Sequence, residues 1–313
     1  MGTRGRVVLA AAMALGLAAL SACGSSTGAS SAATGTATGE GTVNVVASTN
    51  VWGDVARQVA GQLEGTTVRV TSIISDPNAD PHSYEASTQN QLALSRAQIV
   101  IENGGGYDDF VTTMRRTSNN SSASVLNAVD ISGKKASAGG ELNEHVWYDF
   151  PSVDKVAQQI ASTLGDRDPA NRATYQANEQ AFEQKVQALS TSAEAIRSAH
   201  QGASAAITEP VPVYLLDACG LVNRTPEGFS EAVENSTDVS AGVLKQTTDL
   251  FDDKQVKVLV YNEQTSGDST TAVLTAANRN RIPVVPVTET LPGGKDYLSW
   301  MQSNLDALAA ALG

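Results

Sequence analysis

The chain is poor in cysteine, aromatic residues and positive charge, and each shortage excludes a class of protein. Its two cysteines, Cys23 and Cys219, are too few for a disulfide framework. Aromatic residues make up 5% of the chain, which leaves little surface for stacking against sugars. The formal net charge is −12, and so strongly acidic a protein lacks the basic footprint that nucleic-acid binding needs. No glycine-rich phosphate loop occurs, so nucleotide chemistry has no support.

The N-terminal residues have the pattern of an export signal. Arg4 and Arg6 precede an apolar run over residues 7–20, and Leu20-Ser21-Ala22-Cys23 follows. This pattern predicts a signal peptide over residues 1–22, too short to span a bilayer as a stable helix. The cysteine after small residues resembles a bacterial lipobox, which implies cleavage before Cys23 and lipidation of its thiol. An ordinary secretory signal with a chance cysteine is the alternative.

A lipid on Cys23 would anchor the protein to the outer face of the cell membrane. Residues 23–41 are almost entirely serine, glycine, alanine and threonine, a composition that predicts a disordered tether. The sequence beyond it predicts an N-terminal α/β lobe over residues 42–167, a linking helix over 168–201 and a C-terminal α/β lobe over 202–313. Without Arg4 and Arg6 the net charge becomes −14, which suits a cationic ligand.

Both lobes alternate short apolar runs with segments of helical periodicity, which predicts parallel sheets covered by helices on both faces. The strands are expected at residues 43–47, 68–74, 99–101, 125–131, 203–207, 256–261 and 282–287. Residues 223–237 show no clear periodicity and are expected to be irregular.

Between the lobes, apolar residues recur at helical spacing from Tyr175 to Ile196, with neither glycine nor proline between Pro169 and Gly202. This stretch predicts one helix of about 32 residues, roughly 48 Å long at 1.5 Å per residue. Such a helix would join the lobes as a rigid strut. Two helices broken near residues 190–192 are the alternative.

Two of the three histidines lie in loops where ligands bind in α/β folds. His82 follows the strand 68–74 in the stretch Asp80-Pro81-His82-Ser83-Tyr84-Glu85. His145 lies in Glu144-His145-Val146-Trp147-Tyr148-Asp149. A lone loop histidine is most often a solvated side chain, but two such loops point to a metal site because imidazole binds transition metals.

Carboxylates follow strands of the C-terminal lobe in the same way, so a metal site in the cleft between the lobes is expected. They are Glu209, Glu263 and Glu289. A carboxylate in such a place also fits a structural role near the start of a helix.

These motifs, together with Asn103-Gly104 after a buried strand and the long central helix, resemble the zinc/manganese-binding solute-binding proteins of bacterial ABC importers. The resemblance covers nearly the whole chain after the tether. It implies that His82, His145, Glu209 and Glu289 are the metal ligands, with Glu263 the rival of Glu289. Glu289 is one methylene longer than the family's usual aspartate. Because both histidines lie in loops, their truncation is expected to leave the apo fold nearly as stable.

The resemblance implies a monomeric binding protein without catalysis. It would capture one Zn²⁺ or Mn²⁺ ion and deliver it to an ABC permease in the cytoplasmic membrane, whose ATPase is a separate chain. No histidine-rich loop occurs within residues 117–144, which favours Mn²⁺, but imidazole and carboxylate together also suit Zn²⁺. The choice of metal stays open.

Two other functions are compatible with such a site. A metal-binding adhesin or sensor lipoprotein would share both the fold and the ligands. A metallohydrolase would need an open coordination position and a nearby general base, and the chain has no His-Glu-x-x-His motif.

Overall fold

The computed structural model describes residues 41–77, 79, 84, 87–136 and 141–313. The predicted signal peptide, Cys23 and the tether as far as residue 40 lie outside the described residues, as does His82. Within the described part of the chain, no helix combines the length and the apolar character needed to cross a bilayer.

The first lobe is a four-stranded parallel sheet with the strand order β2-β1-β3-β4. The strands are β1 (Val43–Thr49), β2 (Val68–Ile74), β3 (Ile99–Glu102) and β4 (Ser124–Asn127). The helices are α1 (Asn50–Ala60), α2 (Thr88–Arg96), α3 (Asp109–Ser118), α4 (Ala128–Ser132) and α5 (Phe150–Arg167). The two central strands, β1 and β3, are almost entirely buried, as expected for strands covered on both faces, whereas the edge strand β2 exposes Arg69 and Thr71.

The linking helix is α6 (Arg172–His200), 29 residues long and preceded by a 3₁₀ turn at Pro169–Asn171. Tyr175 donates a hydrogen bond of 2.7 Å to the Asp168 carboxylate, which fixes the first turn. The helix continues through residues 190–192, whose hydroxyls donate to carbonyls of the preceding turn. The alternative of two broken helices is therefore wrong.

The second lobe repeats the architecture, with the parallel strand order β6-β5-β7-β8. The strands are β5 (Ser204–Ile207), β6 (Val222–Asn223), β7 (Val258–Asn262) and β8 (Val284–Val287). The helices are α7 (Val213–Ala218), α8 (Glu227–Glu234), α9 (Ala241–Asp252), α10 (Asp268–Arg279) and α11 (Tyr297–Leu312). Two parallel-sheet α/β lobes joined by one long helix confirm the predicted fold class.

Two predictions of secondary structure are wrong. The run 125–131 is not one strand, because β4 ends at Asn127 and α4 begins at Ala128. The Asn127 side chain accepts a hydrogen bond from the backbone N–H of Asp130, and this cap overrides the β-branched composition of the run. The stretch 223–237 is not wholly irregular, because Phe229 and Val233, one helical turn apart, bury the inner face of α8 in the second lobe.

The lobes are held together by α6 and by hydrogen bonds that cross between them. Helix α6 packs against α1 and α5 of the first lobe and against α7 and α11 of the second. Asn50 exchanges two hydrogen bonds, of 3.0 and 2.9 Å, with the backbone of Leu291. The Tyr148 hydroxyl donates to the Thr288 carbonyl, and the Tyr297 hydroxyl donates to the Trp147 carbonyl, both at 2.7 Å. The strut is thus packed along both lobes.

This packing predicts little domain motion on ligand binding. A helix without an internal glycine or proline bends only gently, and a wide hinge closure would break the hydrogen bonds between the lobes. We expect the radius of gyration of the metal-stripped protein to agree with that of the metal-loaded protein within the scatter of repeated measurements. Small-angle X-ray scattering on both forms tests this. A contraction as large as that of a hinge-type binding protein would contradict it.

Candidate metal site

His145 lies in the first lobe just before a 3₁₀ turn at Val146–Tyr148. Its side chain is fully buried, with the rings of Tyr107 and Trp147 edge-on at 5.9 and 5.1 Å between centroids. The sequence predicted a loop histidine whose truncation removes little packed structure. The burial shows instead that truncation to alanine would leave a cavity between two aromatic rings.

Asn143 orients the imidazole of His145. Its Oδ1 lies 3.1 Å from the backbone nitrogen of His145 and 2.8 Å from Nδ1 of the ring. Because the Asn143 Nδ2 amide donates to the Pro210 carbonyl at 3.1 Å, Oδ1 is the acceptor for both contacts. A neutral imidazole therefore carries its proton on Nδ1 and its lone pair on Nε2, the tautomer that can bind a metal through Nε2.

The Asn103-Gly104 motif is hydrogen-bonded to the loop that carries His145. Asn103 accepts a hydrogen bond from the Trp52 indole at 3.1 Å and donates to the Glu144 carbonyl at 3.0 Å. The Asp108 carboxylate accepts from the backbone N–H groups of Asn103 and Gly104, at 2.6 and 2.8 Å. Gly104 has a φ of 78°, which favours glycine, and a Cβ there would overlap the side chain of Asn127. The motif therefore fixes the backbone next to His145.

The second lobe contributes two buried carboxylates. Glu209 follows β5 and is 3% exposed, while Glu289 follows β8 and is 2% exposed. Asn262, the last residue of β7, donates from its side chain to Glu289 Oε1 at 2.8 Å. Its backbone N–H donates to the Thr208 hydroxyl at 2.9 Å. The strands β5, β7 and β8 are neighbours, so their ends bring these carboxylates to one edge of the sheet.

The electrostatics of this edge are unfavourable without a cation. Burial, followed by the charges of Glu289 and Glu234, raises the pKa of Glu209 to about 8. Burial and the charge of Glu289 likewise hold the pKa of Tyr107 well above its usual range, so its hydroxyl stays protonated. One carboxylate oxygen of Glu209, Oε2, is buried and has no hydrogen-bond partner. Such a group is suited to a metal ion as its missing partner.

The other predicted residues are placed differently. Glu263 is exposed at the end of β7, where its backbone N–H donates to the Val287 carbonyl, and its side chain is not among the buried carboxylates. His82 lies outside the described residues, but the carbonyl of Pro77, earlier in its loop, is bound by the second lobe. This carbonyl accepts hydrogen bonds from Thr290 at 2.8 Å and from Gln264 at 3.0 Å. The backbone N–H of Glu289 also donates to Gln264.

Sequence reasoning missed Glu234, the last residue of α8. Its Oε1 lies 3.5 Å from Nε2 of His145, and its side chain is 11% exposed. Single ligand atoms of Glu144, His145 and Glu234 all lie within 4.8 Å of one another. The local signal is the pair Phe229 and Val233, one helical turn apart, which is too little to predict a helix with Glu234 beside its buried face.

Parallel α/β lobes on either side of a long helix, with an imidazole from one lobe and carboxylates from the other, define a two-lobed solute-binding protein. Residues 45–311 match the model of the family described as zinc-uptake complex component A periplasmic, ZnuA, and the chain belongs to this family. The resemblance inferred from the sequence motifs is thereby confirmed.

Individual relatives and a solved structure agree with this family. The manganese ABC transporter substrate-binding lipoprotein scaA of Streptococcus gordonii is 25% identical over 250 residues, 74% of this chain and 78% of that protein. The metal ABC transporter substrate-binding lipoprotein ScbA of Streptococcus cristatus is 30% identical over 119 residues, 35% of this chain and only 38% of that relative. A crystal structure of ZnuA superimposes with a TM-score of 0.72 at 20% identity, covering 87% of this chain and 100% of that one. At this identity the structural likeness concerns the fold.

The role of Asn143 can be tested by substitution. In the Asn143→Ala variant the His145 ring loses the acceptor that fixes its tautomer and orientation. We expect metal affinity to fall about 10–100-fold, as for other partners that orient a metal-ligating histidine. Calorimetric titration with Mn²⁺ and Zn²⁺ measures this, and Asn278→Ala, at an exposed position within α10, is the control. Unchanged affinity with an intact fold would show that Asn143 does not orient the ring.

The buried carboxylate of Glu209 predicts a pH dependence of apo stability. Its pKa is 4.5 when unperturbed and about 8 in the fold, so between these values the folded state retains a proton that the unfolded state has lost. Stability therefore falls as pH rises from about 4.5 to about 8 and levels off above that. Because Glu209→Gln removes this titration, we expect the melting temperature of metal-stripped wild type to fall relative to the variant across this range. A constant difference would contradict the burial of the charge.

Proposed function

We propose that this protein is the substrate-binding component of a divalent transition-metal ABC importer. It captures one Mn²⁺ or Zn²⁺ ion between its lobes and delivers it to a membrane permease whose ATPase is a separate chain. The observation that carries the proposal is the convergence of a fully buried imidazole from one lobe and buried carboxylates from the other. Family membership and the names of the relatives support the same role.

We assign His82, His145, Glu209 and Glu289 as the cargo ligands. His145 contributes Nε2, since Asn143 engages Nδ1. Glu289 is oriented by Asn262, whereas Glu263 is exposed, which favours Glu289 as the carboxylate of the last loop. The assignment of His82 is supported by the hydrogen bonds that hold Pro77, five residues earlier, against Gln264 and Thr290 beside Glu289.

Binding without catalysis fits this site better than hydrolysis. A catalytic zinc keeps one position open for water, whereas four protein ligands complete a tetrahedral zinc site. The buried carboxylates repel one another, so they favour uptake of a cation over the activation of a neutral substrate. The family is one of metal-uptake components, and the named relatives are substrate-binding lipoproteins.

We further propose that the protein is attached to the outer face of the cell membrane through lipid on Cys23. The lipobox-like stretch Leu20-Ser21-Ala22-Cys23 supports this attachment, and so do the lipoprotein names of the relatives. The serine- and glycine-rich stretch that follows would give the binding lobes reach toward the permease.

The ligand assignment predicts the effect of replacing each histidine. We expect His82→Gln and His145→Gln each to lower affinity for Mn²⁺ and Zn²⁺ by more than the ~100-fold that orienting partners cost, because a direct ligand is lost. Glutamine is chosen because it occupies most of the volume of the buried His145 ring. Elemental analysis and competition titration of metal-stripped protein provide the measurement.

The third histidine supplies the matched control. His200 ends α6 and belongs to no predicted ligand set, so His200→Gln should bind metal as wild type does. If the wild-type protein retains no stoichiometric transition metal after reconstitution, the proposed function is wrong. If His82→Gln binds as tightly as wild type, the assignment of that ligand is wrong.

A further inference from the structure

Glu234 is held at the site by the packing of its helix. Phe229 and Val233 of α8 are buried in the core of the second lobe, and Glu234 directly follows Val233. This arrangement directs the carboxylate toward the first lobe, where Oε1 lies 3.5 Å from Nε2 of His145. The contact is made to the same nitrogen that the Asn143 hydrogen bond reserves for the metal.

The surroundings of Glu234 are electrostatically unfavourable for a carboxylate. Glu234 occupies the last turn of α8, where the helix dipole is negative and favours cations, and this turn contains no basic residue. The charges of Glu234 and Glu289 both act on Glu209, so three acidic groups share this region. Glu209 is more than nine-tenths buried, and its Oε2 has no hydrogen-bond partner. The cluster and this buried oxygen independently point to a bound cation.

On the basis of the proposed function, we infer that Glu234 is an additional ligand of the metal cargo and that it biases the site toward Mn²⁺. Together with Glu209 and Glu289 it gives the site three carboxylates. Oxygen donors suit Mn²⁺, which accepts more ligands than the four that a tetrahedral Zn²⁺ site takes. An added carboxylate therefore stabilises bound Mn²⁺ more than bound Zn²⁺.

Glu234 also connects the buried ligands to solvent. It lines a pocket of about 540 Å³, which is also lined by Glu141, Glu144, Glu227 and Glu231. A hydrated cation entering this acidic pocket would meet the Glu234 carboxylate before it reaches His145, because His145 is fully buried. Glu144 lines the pocket as well, but Glu234 is the carboxylate whose charge acts on Glu209.

The test compares Glu234→Gln with Glu231→Gln in the metal-stripped full-length protein. Both variants remove one negative charge from α8 beside the same pocket, but Glu231 is not within the group around His145. Because a direct ligand is lost, we expect Glu234→Gln to weaken Mn²⁺ binding by more than the ~100-fold that orienting partners cost, with a much smaller effect on Zn²⁺. Glu231→Gln should change neither affinity by a comparable factor. Direct titration with each metal supplies the dissociation constants.

A spectroscopic measurement separates direct ligation from a loss of charge. X-ray absorption on Mn²⁺-loaded protein should show fewer oxygen and nitrogen neighbours around the metal in Glu234→Gln than in wild type or Glu231→Gln. Equal weakening for both metals, unchanged Mn²⁺ affinity or tighter binding by Glu234→Gln would overturn the inference. Tighter binding would mean that Glu234 blocks His145 rather than binding the cargo. None of these results affects the proposed function, which fails only if wild type binds no transition metal.

Discussion

Repulsion between buried carboxylates is the constraint on which the rest of this structure depends. Glu209 and Glu289 lie at the carboxyl edge of one sheet, almost without contact with water, and each charge disfavours the other. A protein interior tolerates such groups only when hydrogen bonds, protons or a cation compensate them. Asn262 compensates part of the charge of Glu289, while Glu209 retains a proton at neutral pH. A divalent ion bound by these carboxylates would therefore lower the free energy of the folded protein.

The scaffold maintains this arrangement by fixing the two lobes relative to each other. Helix α6 packs along both lobes, and hydrogen bonds from Tyr148 and Tyr297 join them beside the site. Asn143 contributes to both tasks, because its side chain orients His145 and also donates to the Pro210 carbonyl of the opposite lobe. Pro210, the residue after Glu209, is thus hydrogen-bonded to the loop that carries His145. Ligand geometry and lobe geometry are set by the same contacts.

Much of this organisation follows from sequence patterns, because burial on both sheet faces imposes continuous apolar runs and a long helix imposes its own period. The fold class and the position of Glu289 after a strand were predictable for that reason. The burial of His145 was not, since it results from packing against Tyr107, distant in sequence. Nor was Glu234, because a helix of two turns leaves too few apolar positions for a reliable period. Asn262 and Asn143 act through hydrogen bonds that no local pattern specifies.

The segment after β7 has a consequence for how such sites change during evolution. Asn262 and Gln264 both bond to groups around Glu289, while Glu263 between them is exposed to solvent. Glu263 and Gln264 lie in the bend that directly follows β7, and this bend turns the two amides toward Glu289 and the acid toward solvent. Substitution at position 263 is therefore close to neutral for the lobe, whereas substitution of Asn262 or Gln264 would remove hydrogen bonds that hold Glu289. Divergence of the ion preference through this segment would therefore act on the two amides that position Glu289, while the acid between them is free to vary.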